Sequence, residues 1–70
     1  MKTLKELRKE QRYTVKAVSE GTGIPFPTLT AYDNQYRSPS LRNAKKIADF
    51  FGVTVEEIDF KAKARKAKGE

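Results

Sequence analysis

The side chains able to do chemistry in this 70-residue chain are few in kind. Cys and His are both absent, which removes disulfides, thiolate and imidazole metal ligands, and the usual nucleophile and base pairs in one step. Charge, amide and hydroxyl groups remain, and these are the chemistry of recognition. The chain therefore reads as a non-enzyme that needs no cofactor and holds no metal. The stretch "GIPFPTLTAYDNQYRSPS", residues 23 to 40, carries one acidic side chain, Asp33, and no basic one before Arg37, in a chain otherwise rich in lysine. Base edges are read by Arg or Lys on guanine and by Asn or Gln on adenine, through paired hydrogen bonds. The first half of this stretch offers Pro25, Phe26, Pro27, Thr28, Thr30 and Ala31 instead.

The formal charge of +6 is unevenly spread. Residues 1 to 60 hold ten Lys/Arg against eight Asp/Glu, whereas "KAKARKAKGE", residues 61 to 70, holds five against one. A basic balance suits an anionic partner such as nucleic acid, and a solvated Lys/Ala tail is an equally ordinary reading of the same residues. Seventy residues support one core at most, since so short a chain buries only about 60% of its unfolded surface. No run approaches the roughly 20 apolar residues of a membrane span, and "MKTLKELRKEQR" is amphipathic and charged rather than signal-like. The expectation is a soluble cytoplasmic protein, with a domain at 1 to 60 and a basic tail at 61 to 70.

Helical periodicity organises the rest. Leu4, Leu7 and Gln11 share a stripe over about residues 2 to 12, opened by the capping box of "TLKE". Thr14 is a candidate cap for a second helix of about Val15 to Gly21, anchored by Val18, and Gly23 suits the left-handed residue of a tight turn. Ile24 and Phe26 each precede a proline, which disfavours helical backbone, so the third helix is expected to begin at Pro27, burying Leu29 and Tyr32. Ser40 caps a fourth helix with Leu41, Ala44, Ile47, Ala48 and Phe51 inward and Gly52 at its end. "TVEE" opens a short fifth helix with Val55 and Ile58 inward, and no strand alternation is present within residues 1 to 60.

"LKELRKEQRYT", the short second helix, "GI", "TLTAYD" and "RSPSLRNAKKIADFFGVTVEEI" together resemble the Cro/CI-type helix-turn-helix family, also called the XRE family, over about residues 3 to 59. The resemblance implies an all-α, compact five-helix domain and a sequence-specific DNA-binding regulator. Its third helix would lie in the major groove and the start of its second would cross the phosphate backbone. Carried over position by position, Thr28 and Thr30 match the family's small hydroxyl residues. Arg37 and Asn43 stand where the family touches the DNA backbone, and Asn34 and Gln35 follow the reading helix. Four positions depart: Val15 replaces a common Gln, Pro25 and Phe26 replace a capping Ser and a long polar or basic residue, and Ala31 replaces a frequent Arg or Lys.

Two functional readings follow. In one, the chain is a stand-alone homodimeric DNA-binding repressor using Thr28, Thr30, Asn34, Gln35, Arg37 and Asn43. In the other, Val15, Pro25, Phe26, Pro27, Ala31 and Tyr36 form an apolar, proline-stiffened edge for a protein partner. Short chains of this kind are similar to Cro-like regulators of temperate phages, and most of all to modulator-of-repression, or antirepressor, proteins. That similarity implies the phage's own repressor as partner and changed operator occupancy as outcome. The main expectation combines the two: a phage-type regulator that binds operator DNA weakly alone or with assistance and works mainly through a repressor partner, with the stand-alone repressor as the alternative.

Overall fold

The computed structural model describes residues 1–62, and the part of the expected tail beyond Ala62 lies outside them. In chain order the elements are β1 (Lys2–Thr3), α1 (Leu4–Glu10), α2 (Val15–Thr22), α3 (Phe26–Asp33), α4 (Leu41–Phe51), a single 3₁₀ turn (Val55–Glu57) and β2 (Ile58–Asp59). Each α-helix begins where the chain supplies a cap or a compatible backbone. Thr3 and Glu6 form the reciprocal capping box of α1, Thr14 Oγ1 accepts the Ala17 N–H, and Ser40 Oγ accepts the Asn43 N–H. α1 is shorter than its stripe suggested: Arg12 turns into left-handed backbone at φ 64°, which leaves Gln11 exposed as the cap.

The core is drawn from every helix. Leu4 and Leu7 of α1, Val18 of α2, Leu29 and Tyr32 of α3, and Ile47, Ala48 and Phe51 of α4 meet Ile24 and Ile58. Val15, Phe50, Val53, Val55 and Phe60 pack partly buried against this cluster, so the apolar groups near the end of the fold are used within the molecule. Gly21 lies inside α2, which runs one residue further than expected, to Thr22. An ideal Cβ at Gly21 would stand 2.2 Å from Phe50 Cε1, so the missing side chain is what lets α2 close on α4. The Phe50 ring is itself held in tilted contact with Tyr13 and edge-on to Phe51.

Three expectations are corrected. The fifth helix is one 3₁₀ turn: Glu57 accepts the Thr54 N–H at 2.8 Å as the capping pattern requires, but Ile58 is already extended at φ −114°, ψ 134°. A cap signal specifies a start and carries no information about length. The extended residues that follow pair in parallel with β1, Lys2 with Ile58 and Thr3 with Asp59, a two-residue sheet too short to leave an alternating pattern. Leu41, read as inward, is 72% exposed, because the first residue of α4 lies beyond the last packed turn of its stripe. The domain is thus four α-helices, a 3₁₀ turn and a minimal strand pair.

Candidate nucleic-acid interface

α2, the turn and α3 form a helix-turn-helix whose turn is stitched by side chains. Gly23 adopts φ 80°, a conformation a Cβ would strain, and donates its N–H to Ser19 O. Ser19 Oγ donates to Ile24 O at 2.6 Å, Thr22 Oγ1 donates to Val18 O at 2.7 Å, and the Ile24 N–H reaches Thr22 Oγ1 at 3.3 Å. The Ser19 hydroxyl therefore satisfies a carbonyl of the turn, and the Thr22 hydroxyl bonds back to a carbonyl one turn earlier in α2. The direction of α3 relative to α2 follows from this fixed turn.

α3 starts one residue before the expected Pro27. Pro25 is its cap at φ −55°, ψ 142°, with no side-chain hydrogen bond, and Phe26 is its first residue. The restriction that proline places on its predecessor is met at Ile24, which lies outside both helices, and the extended ψ of Pro25 suits the cap position. Phe26 nevertheless turns helical at the first position, where Pro27 behind it deletes an N–H that had no partner in the helix. The Leu29 N–H then closes the first turn on Pro25 O at 3.0 Å.

The far end of α3 is tied down on several sides. Arg8 donates from Nε to Asp33 Oδ1 at 2.9 Å and from Nη2 to Asp33 Oδ2 at 3.0 Å, a two-pronged pair whose carboxylate is buried. The third nitrogen, Arg8 Nη1, donates to Tyr13 O at 2.8 Å, so one guanidinium links α1, the α1–α2 connection and α3. Lys5 Nζ donates to Asn34 Oδ1 at 3.0 Å, and Asn43 Nδ2 donates to the Tyr32 hydroxyl at 3.0 Å, joining α3 to α1 and α4. Gln35, left-handed at φ 61°, places its Nε2 at 3.4 Å from Lys61 O, and the Ala62 N–H donates to Ser38 Oγ at 3.0 Å.

These contacts place the expected site residues unevenly. Asn34, Gln35 and Asn43 are engaged within the molecule, as loop and helix supports. Thr28 is half-buried, and Thr30 Oγ1 is buried with no hydrogen-bond partner among the described residues. Arg37 is exposed in the α3–α4 loop. Of the apolar set, Val15 packs on the core, Ala31 is half-buried, and Pro25, Phe26, Pro27 and Tyr36 are exposed, Phe26 at 51% and Tyr36 at 59%. Phe26 opens the eight-residue α3, and Tyr36 lies three residues past its end.

Sequence reasoning missed the Arg8–Asp33 pair. A signal was available: Asp33 lies four residues after Leu29, on the face already assigned to the core, and a lone carboxylate facing a polyanion is unfavourable. Among the described residues no group of three or more His, Cys, Asp or Glu is placed to hold a metal ion, and no helix is long and apolar enough to cross a membrane.

A family model described as Helix-turn-helix (HTH_3) matches residues 4–58, from the first residue of α1 to the first of β2. The transcriptional regulator AnsR of Bacillus subtilis (strain 168), described as HTH-type, is 34% identical over 55 residues, covering 79% of this chain and 47% of that protein. The cryptic phage CTXphi transcriptional repressor RstR of Vibrio cholerae is 33% identical over 55 residues, covering 79% of this chain and 50% of that protein. The chain spans about half the length of these curated relatives. No solved structure matches it. With the matched span containing all four α-helices and the stitched turn between α2 and α3, the chain belongs to the helix-turn-helix family HTH_3.

Proposed function

We propose that the chain is a sequence-specific DNA-binding transcriptional regulator acting as a repressor, with α3 entering the major groove. One observation carries the reading: α3 is fixed from behind by charged and polar bonds to α1 and α4 while its first turn, at Pro25, Phe26 and Pro27, stays exposed. A helix that must enter a groove needs its support on the opposite side and at the far end, and its first residues are those that reach base edges. Both relatives carry names that describe transcriptional regulators, one of them a phage repressor. Arg37 and Lys61 are exposed cations on either side of the α3–α4 loop contacts and suit phosphate oxygens. Residues 61 to 70, with five Lys/Arg against one Glu, supply further nonspecific affinity. Two copies on a two-fold-related site would double the contacts, and a homodimer belongs to this proposal.

The test is a fluorescence-anisotropy titration of the full chain with duplexes selected from a random pool, compared with scrambled duplexes over a range of salt. A preference for the selected sequence supports the reading, and equal binding to both removes it. Deleting residues 63 to 70 takes away four Lys/Arg and should flatten the plot of log K against log salt by roughly 0.9 for each charge that meets a phosphate. An unchanged slope assigns the tail no part in binding.

The antirepressor reading, in which a phage repressor is the partner, draws on the exposure of Phe26, since a rigid aromatic flanked by prolines suits a protein interface. Co-purification with the repressor of the same genetic element, lost on Phe26→Ala, would favour it over the stand-alone repressor.

A further inference from the structure

The first two side chains of α3, Phe26 and Pro27, carry no hydrogen-bonding group. Phe26 is the first helical residue and is half-exposed, Pro27 is exposed beside it, Pro25 precedes it, and Ala31 adds a half-buried methyl. Thr28 contributes a γ-methyl, while the buried Oγ1 of Thr30 withholds its hydroxyl from the surface. No Arg, Lys, Asn or Gln occurs between Pro25 and Asp33. The paired hydrogen bonds that read guanine or adenine therefore have no donor along α3. In the major groove one base feature is recognised without hydrogen bonds, the C5-methyl group of thymine, which apolar side chains contact.

We infer that Phe26, with Pro27 and the methyl of Thr28 beside it, reads thymine C5-methyl groups in the major groove, so that this helix selects thymine by apolar contact. The inference rests on the DNA-binding reading above and names the determinant of its specificity. The two prolines fix φ on either side of Phe26, so its ring is presented with little backbone freedom left to lose on contact. Its ring makes no part of the packed core, and it therefore remains available at the surface. The tied far end, at Asp33 and Asn34, sets the angle at which the ring is offered.

Uracil pairs as thymine does and lacks only the C5-methyl group, which makes it the direct probe. Duplexes selected by the full chain from a random pool are resynthesised with uracil at single thymine positions, and binding is measured by anisotropy for the unaltered chain and for Phe26→Ala. The expected result is a loss of about fourfold in affinity at each contacted thymine, the size of one buried methyl-sized group. Phe26→Ala should bind thymine and uracil duplexes alike. Selected duplexes bound equally with thymine and uracil overturn the inference while leaving DNA binding intact. Failure to bind any duplex removes the DNA-binding reading and this inference together. If Phe26→Ala keeps full thymine preference, or affects only capture of a repressor protein, Phe26 is not the reading residue. Because Phe26 is half-exposed, far-ultraviolet circular dichroism of the variant separates lost reading from lost fold.

Discussion

The two ends of α3 are built on opposite principles. At Asp33 and Asn34 the helix is held by a buried two-pronged ion pair from Arg8 and by a Lys5 hydrogen bond, and a half-turn earlier Tyr32 is held by Asn43. At Pro25 and Phe26 there is no side-chain cap, and exposed rings stand where the other end has charges. The anchored end commits several of its polar groups to bonds within the molecule. The open end makes few demands on the fold. On the proposed reading, α3 separates orientation from specificity within eight residues.

Breaking the anchored end should have the largest effect. Arg8→Met leaves the Asp33 carboxylate buried and uncompensated, and should lower stability by about 3–5 kcal/mol in urea denaturation. Removing both charges, with Arg8→Met and Asp33→Leu together, should recover most of that loss because the desolvation cost disappears with the pair. A single-variant loss below about 1 kcal/mol would mean that α3 is oriented by packing alone. Tyr32→Phe removes only the hydroxyl that accepts from Asn43, and thermal denaturation should register about 1 kcal/mol. At the open end Phe26→Ala should change stability by no more than about 0.5 kcal/mol, as expected where no core contact is lost. A loss comparable to that of Arg8→Met would erase the contrast between the two ends.

Much of this contrast could be read from the residues, and the reasons for the rest are physical. Thr3, Thr14, Ser40, Gly23 and Gly52 marked helix boundaries correctly because caps and left-handed turns depend on local chemistry. Leu29, Tyr32, Ile47 and Phe51 were legible from periodicity. The one-turn length of the Val55–Glu57 segment was not, since it depends on Ile58 and Asp59 finding Lys2 and Thr3 more than fifty residues away. The same holds at the site. The bonds of Asn34, Gln35 and Asn43 to Lys5, the Lys61 carbonyl and Tyr32 depend on distant partners that no local pattern reveals. Phe26 was conspicuous in the sequence as an apolar residue at the start of a reading helix, and its exposure became evident only once the core was seen to close without it.

The central claim is that DNA meets the open end of α3. The most direct measurement is a nuclear Overhauser spectrum of the full chain bound to its selected duplex. The account predicts cross-peaks between the Phe26 ring protons and thymine C5-methyl protons, with amide shifts concentrated at Phe26, at residues 28 to 31 and at Arg37. Cross-peaks and shifts confined to the groove of Leu41, Ala48, Val53 and Val55 on the α4 side, with Phe26 unmoved, would contradict it.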